Sequence, residues 1–119
     1  MYSPAVLDHF QNPRNAGVLE NATATVEVSN PVCGDVLRLA ARVAEGCIAD
    51  VRFQARGCVT AIACGSLLTE LMRGRRLDDL GNITPETLST VLGGLPPATA
   101  HGSQLAYDAL QALLTALAR

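Results

Sequence analysis

The 119-residue chain has no lysine and no tryptophan; all nine of its positive charges are arginines, and aromatic residues make up 3% of it. Charged residues are 17%, below the usual quarter or so, against 49% apolar residues. Without a lysine-rich or basic face, and with a formal charge of -2, the chain is not expected to bind nucleic acid or anionic lipid. No segment approaches the roughly 18 unbroken apolar residues of a membrane span, and the amino end lacks a basic head followed by an apolar run. A soluble cytoplasmic protein with no membrane partner is the expectation. The pair pattern CxxC is also missing, so neither a thioredoxin-like redox pair nor a zinc ribbon can be read from spacing. Any metal site must be assembled by folding from remote segments.

What is present begins with four cysteines, at 33, 47, 58 and 64. An even number would suit disulfides in a secreted chain, but nothing points to secretion, and reduced thiols are expected. The length suits one domain spanning 1–119 with an aliphatic core and a single site.

Periodicity supplies the elements. Ser3-Pro4 opens a first helix, with Val6, His9 and Phe10 at helical spacing, and Asn12-Pro13 closes it. Alternation from Thr23 to Val28 and from Asp35 to Val43 predicts two half-buried strands, the second facing inward with Leu37, Leu39, Ala41 and Val43. Glu45-Gly46 turns the chain into a third strand, CIADVRFQAR, with Cys47, Val51 and Phe53 on its inner side. After Gly57 the period changes, and Ala61, Cys64, Leu68 and Leu71 form one helical stripe. Thr84-Pro85-Glu86 opens a helix carrying Leu88, Val91 and Leu92. The loop through Pro96-Pro97 leads to a last helix with Gln104, Asp108, Gln111 and Thr115 opposite Ala106, Leu110, Leu113 and Leu117. An α+β fold follows: a three-stranded antiparallel sheet with helices packed on one face.

Three junctions carry donor side chains. In NPVCGDVLRL, Cys33 and Asp35 are two apart, so both would share the buried side of Leu37 and Leu39 at the mouth of the core. Cys58 stands where strand becomes helix, facing free amides and the positive end of a dipole, a position suited to a ligand or a nucleophile. His101 opens the final helix. Cys47 and Cys64 share parity with core residues and are read as small core hydrophobes, and His9 as a surface or locally bonded residue. Arg73, Arg75 and Arg76 read as a solvated helix end.

NPRNAG after the first helix, Cys33-Gly34-Asp35, RFQARGCVTAIACGSLLTE at 52–70 and LPPATAHGSQLA at 95–106 together resemble the iron-sulfur cluster assembly scaffold family, the IscU or NifU amino-terminal-like proteins. The resemblance runs over almost the whole chain, and it implies the same SufE/NifU-like α+β fold. It implies a non-enzymatic scaffold that holds iron or a transient [2Fe-2S] cluster, or zinc, at Cys33, Asp35, Cys58 and His101. The carboxylate, a harder and weaker donor than a thiolate, would keep the cargo exchangeable, and Gly34 would bend the backbone so that Cys33 and Asp35 reach one centre.

The resemblance further implies a cysteine desulfurase and apo iron-sulfur proteins as partners. Two departures stand out. The family's His-Cys-Ser is His101-Gly102-Ser103 here, so the third cysteine is lost, and restoring it at 102 is expected to strengthen cluster retention. The chaperone-recognition segment LPPVK is LPPAT, which argues against an Hsp70-type partner. The alternatives are a zinc-bound sulfur acceptor that stimulates a desulfurase, as SufU-like relatives do, and a degenerate domain that only binds partners. A thiol-imidazole hydrolase built on Cys58 and His101 would leave the Cys33-Gly34-Asp35 unit idle.

Overall fold

The computed structural model describes residues 2–32, 34–95 and 100–118. In chain order these form α1 (Pro4–Gln11), β1 (Ala24–Ser29), β2 (Val36–Ala44), β3 (Cys47–Arg56), α2 (Val59–Met72), a 3-10 turn (Leu77–Asn82), α3 (Pro85–Val91) and α4 (His101–Leu117). The strands make one antiparallel sheet in the order β1-β2-β3, as the alternation predicts. Its register sets Val28 opposite Leu37 and Leu39 opposite Phe53. The β2-β3 turn takes a left-handed φ at both Glu45 (55°) and Gly46 (77°), the backbone that a tight hairpin between twisted strands demands.

Leu37, Leu39, Ala41, Val51 and Phe53 are buried on one face of the sheet and join α2 and α4 in a single aliphatic core. Arg38, Arg42 and Gln54 point the other way and are exposed. One inner-face expectation fails. Between Arg42 and Val43 the pairing slips by one residue, so that Val43 faces Ile48. Such a bulge reverses the parity of everything beyond it, and Ile48 is therefore fully buried while Cys47 is only partly so. Cys47 is thus no core residue, although simple alternation assigned it there.

The free edge of β3 is covered by two passing segments. Gly17 N donates to Phe53 O and Phe53 N to Asn15 O, while Gly74 N donates to Ile48 O and Ile48 N to Arg75 O. Pairing the edge with loops of the same chain removes a template for strand addition. The arginines at 75 and 76 consequently belong to a segment bonded to the sheet, with Arg76 opposite Cys47 in an isolated bridge.

Helix starts follow the sequence signals. Ser3 Oγ accepts from Val6 N across the first turn of α1 and donates to Leu92 O at the end of α3. Thr84 caps α3 in a reciprocal pairing with Thr87. Leu88 and Leu92 are buried, but Val91 is 51% exposed, so α3 offers a narrower apolar face than its sequence suggests. The largest departure is α2. Instead of one buried stripe, it buries Thr60, Ala61, Ala63, Cys64, Gly65, Ser66, Leu67, Leu68, Thr69 and Met72, nearly its whole circumference. It is the central rod of the molecule, with the sheet on one side and α1 and α4 on the others. Gly65 permits this: a Cβ there would stand 2.8 Å from the Phe53 ring and 3.1 Å from Leu37.

His9 is buried as well, which corrects the expectation of a surface or locally bonded residue. Its Nδ1 lies 2.7 Å from Ser66 Oγ, which also accepts from Arg14 N at 2.9 Å, so the imidazole bonds α1 to α2. Glu70 lies 3.8 Å from Nε2, and Arg14 links Glu70 to Asp8. Burial, helped by the Arg14 charge, holds the His9 pKa below its ordinary 6.5 against the opposing pull of Glu70 and Asp8. A group whose folded value is depressed binds fewer protons folded than unfolded, so stability is complete above pH ~6.5 and falls as pH falls through the lower folded value. Urea midpoints measured between pH 8 and pH 5 should therefore decline on the acid side of ~6.5. In His9→Gln that part of the decline should vanish.

Candidate metal centre

Three donors meet where β2, α2 and α4 begin. Each arrives by a separate local device. Asn30 closes the turn before β2: its Oδ1 accepts from Val32 N, its carbonyl from Gly34 N, and its own N–H donates to Asp35 O. Gly34, at φ 77°, bends the chain there, and Asp35 follows immediately before the first residue of β2. Its side chain is buried on the inner side with Leu37, as period-2 alternation expects.

Only Gly57 and Cys58 separate β3 from α2. Gly57 has φ 143°, open to glycine and strained for any other residue, and a Cβ there would lie 2.1 Å from Asp35 Oδ1. The missing side chain is the space that the carboxylate occupies. Cys58 is the N-cap residue of α2 but its side chain does not cap the helix, leaving Sγ directed across the opening. His101, the first residue of α4, reaches the same point from the far side.

The resulting triangle has Cys58 Sγ to Asp35 Oδ2 at 3.1 Å, Cys58 Sγ to His101 Nε2 at 3.4 Å and His101 Nε2 to Asp35 Oδ2 at 3.4 Å. Around one tetrahedral ion, bonds of about 2.0–2.3 Å to oxygen, nitrogen and sulfur put neighbouring donors ~3.3–3.6 Å apart. The three atoms therefore already lie near the spacing of one face of a coordination tetrahedron. Asp35 is on the core side, while Cys58 and His101 are partly exposed. A cleft lined by Asn30, His101, Gln104 and Asp108 opens beside the imidazole and gives access from solvent.

Of the four expected site residues, Asp35, Cys58 and His101 converge, and Cys33 lies outside the described residues. The LPPAT segment does too, apart from Leu95. Cys64 is fully buried in the core, and its burial, reinforced by the nearby Cys58, pushes the thiol up to about 12. It belongs to no group of candidate donors among the described residues. Sequence reasoning passed over two residues that shape the site. One is Gly57. The other is Thr60, whose hydroxyl lies 3.1 Å from Cys58 Sγ. The signal for both was local: a glycine before an N-cap thiol, and a hydroxyl two residues after it.

Residues 1–118 match the family described as the NifU-like N terminal domain. The chain belongs to that family. Among curated relatives it is 45% identical over 111 residues to the iron-sulfur cluster assembly scaffold protein IscU 1 of Archaeoglobus fulgidus, covering 93% of this chain and 72% of that one. It is 44% identical over 115 residues to the scaffold protein IscU of Azotobacter vinelandii, covering 93% and 89%. Among solved structures, its fold matches a protein of Fervidobacterium islandicum described as a scaffold for the SUF system, with a TM-score of 0.80 at 22% identity over 95% of this chain and 96% of that one. The NifU-like protein of Brucella abortus gives 0.79 at 16%, covering 97% and 92%. This NifU-like chain has the sheet and helices expected of it. No helix among its described residues is long and apolar enough to cross a membrane.

Proposed function

We propose that this NifU-like domain is an iron-sulfur cluster assembly scaffold whose cargo is held by Asp35, Cys58 and His101, with Cys33 as the fourth donor. The observation that carries the reading is the donor triangle, found at the mouth of the core in a chain more than 40% identical to curated scaffold proteins. The division of labour follows from donor chemistry. Two thiolates suit iron or zinc, the imidazole adds a borderline nitrogen, and the buried carboxylate supplies a hard, replaceable oxygen. A cargo resting on two thiolates, with glycine at 102, is bound more weakly and released more readily than one on three. The preferred cargo is a transient [2Fe-2S] cluster assembled in the cytoplasm; the partners are a cysteine desulfurase and apo-proteins that accept the cluster. The role is non-enzymatic.

Anaerobic reconstitution with ferrous iron and sulfide, followed by visible absorption, tests this. The parent should develop sulfide-to-iron charge-transfer bands, and Cys58→Ala should retain at most about a tenth of the colour. A parent that stays colourless, and that carries no zinc when purified without chelator, overturns the proposal. The compact triangle also suits a single ion, which favours a zinc-bound sulfur acceptor as the second reading. In that case the zinc-loaded protein would accelerate a cysteine desulfurase while failing to retain a cluster.

A further inference from the structure

Resting on the reading of Cys58 as a metal ligand, we infer that Thr60 is a positioning residue for that ligand: its hydroxyl donates a hydrogen bond to Cys58 Sγ and sets the direction and donor strength of the sulfur. Thr60 is fully buried in the first turn of α2, yet carries a polar group. A buried hydroxyl needs a partner. The one side-chain hydrogen bond of Thr60 among the described residues is to Cys58 Sγ, at 3.1 Å.

The direction of that bond follows from the other contacts of the sulfur. Cys58 Sγ–H donates to Asp35 Oδ2, so the thiol proton is already committed and the sulfur lone pairs are what Thr60 meets. A metal-bound thiolate has no proton at all and can only accept, so the hydroxyl is the donor in both states. The donor is held from two sides. Thr60 sits in the helix that forms the centre of the core, and its backbone carbonyl lies against Gly102 of α4, next to His101. The hydroxyl is thus fixed by packing, and it adds to Asp35 and His101 a third restraint on a ligand whose side chain makes no capping bond to its own helix.

Hydrogen bonds to a coordinating sulfur withdraw charge from it and lower the energy of its filled lone pair, and residues that orient a ligand in this way commonly change metal affinity 10–100-fold. Cobalt(II) is a suitable probe because its sulfur-to-metal charge-transfer band reads the lone-pair energy directly. The experiment compares the parent with Thr60→Val, which keeps the β-branched shape and loses the donor, and Thr60→Ser, which keeps the donor. Thr60→Val should shift the band to lower energy and bind cobalt(II) about tenfold more weakly. Thr60→Ser should match the parent in both. Should the valine variant not fold, Thr60→Ala reads the same bond without added bulk. A parent-like band and affinity in Thr60→Val, or a Thr60→Ser variant shifted as far as the valine, overturns the inference. Cys58→Ala keeps the two questions apart: if it retains the full intensity of the charge-transfer band, Cys58 is not a ligand and the underlying reading fails, whereas loss of about half that intensity, with Cys33 supplying the rest and no effect of Thr60→Val, leaves that reading standing.

Discussion

Gly57→Ala should lower stability by about 2–4 kcal/mol and expel Asp35 from the site. Two costs combine. A φ of 143° lies outside the comfortable range of any residue with a Cβ, a strain of about 1–3 kcal/mol. The new methyl would also stand 2.1, 2.4 and 2.9 Å from Oδ1, Cγ and Cβ of Asp35, so the whole carboxylate side chain must leave its buried place. Urea denaturation reads the first effect and zinc titration the second, with affinity expected to fall at least tenfold. The two are separable by a double-mutant cycle. Asp35→Ala removes most of the clash but not the backbone strain, so Gly57→Ala should cost less in that background than in the parent. Equal costs in both backgrounds would mean that Gly57 and Asp35 do not compete for one space.

Gly102→Cys should destabilise the fold by about 1–3 kcal/mol instead of strengthening the site. Restoring the family's third thiol is expected from sequence to prolong cluster retention, but the surroundings of Gly102 lead to the opposite prediction. The residue is buried, and a Cβ there would lie 2.8 Å from Thr60 C, 2.9 Å from Thr60 O and 3.0 Å from Ala61 N. These are backbone atoms at the start of the central helix and cannot rotate aside. Replacing glycine within a helix ordinarily gains up to about 1 kcal/mol, so the sign of the measured change decides between open space and close contact. The close approach also matters for chemistry, since α4 carries His101 next to Gly102. Pushing the helices apart lengthens the 3.4 Å separation of Nε2 from Cys58 Sγ. The variant should therefore show a lower urea midpoint and a cluster half-life no longer than the parent's. A midpoint at or above the parent's, with a longer-lived cluster, would falsify this account.

Both results turn on glycines whose importance periodicity could not express. A pattern of apolar residues reports which side of an element is inward; it carries no information about which empty space a neighbouring side chain will fill. The same limit explains Cys47 and His9. Alternation put Cys47 inside because a bulge one strand-turn earlier leaves no mark in composition, and the register slip moved Ile48 into its place. His9 looked like a surface residue because its partner, Ser66, is 57 positions away. Thr60 was passed over because a hydroxyl early in a helix ordinarily bonds its own backbone.

By itself the amino-acid sequence determined the strands, the helix starts, the one-sided sheet and, through its motifs, the family and the candidate donors, because these depend on local preferences and on periodicities of two and 3.6. Only the tertiary structure decided that Asp35, Cys58 and His101 lie within 4.8 Å of one another, that Gly57 leaves the space Asp35 occupies, and that a Cβ at position 102 would press on the backbone of α2. Those outcomes depend on how closely α2, α4 and the sheet approach. That distance is set by side chains filling space between segments remote in the chain, and no local pattern encodes it.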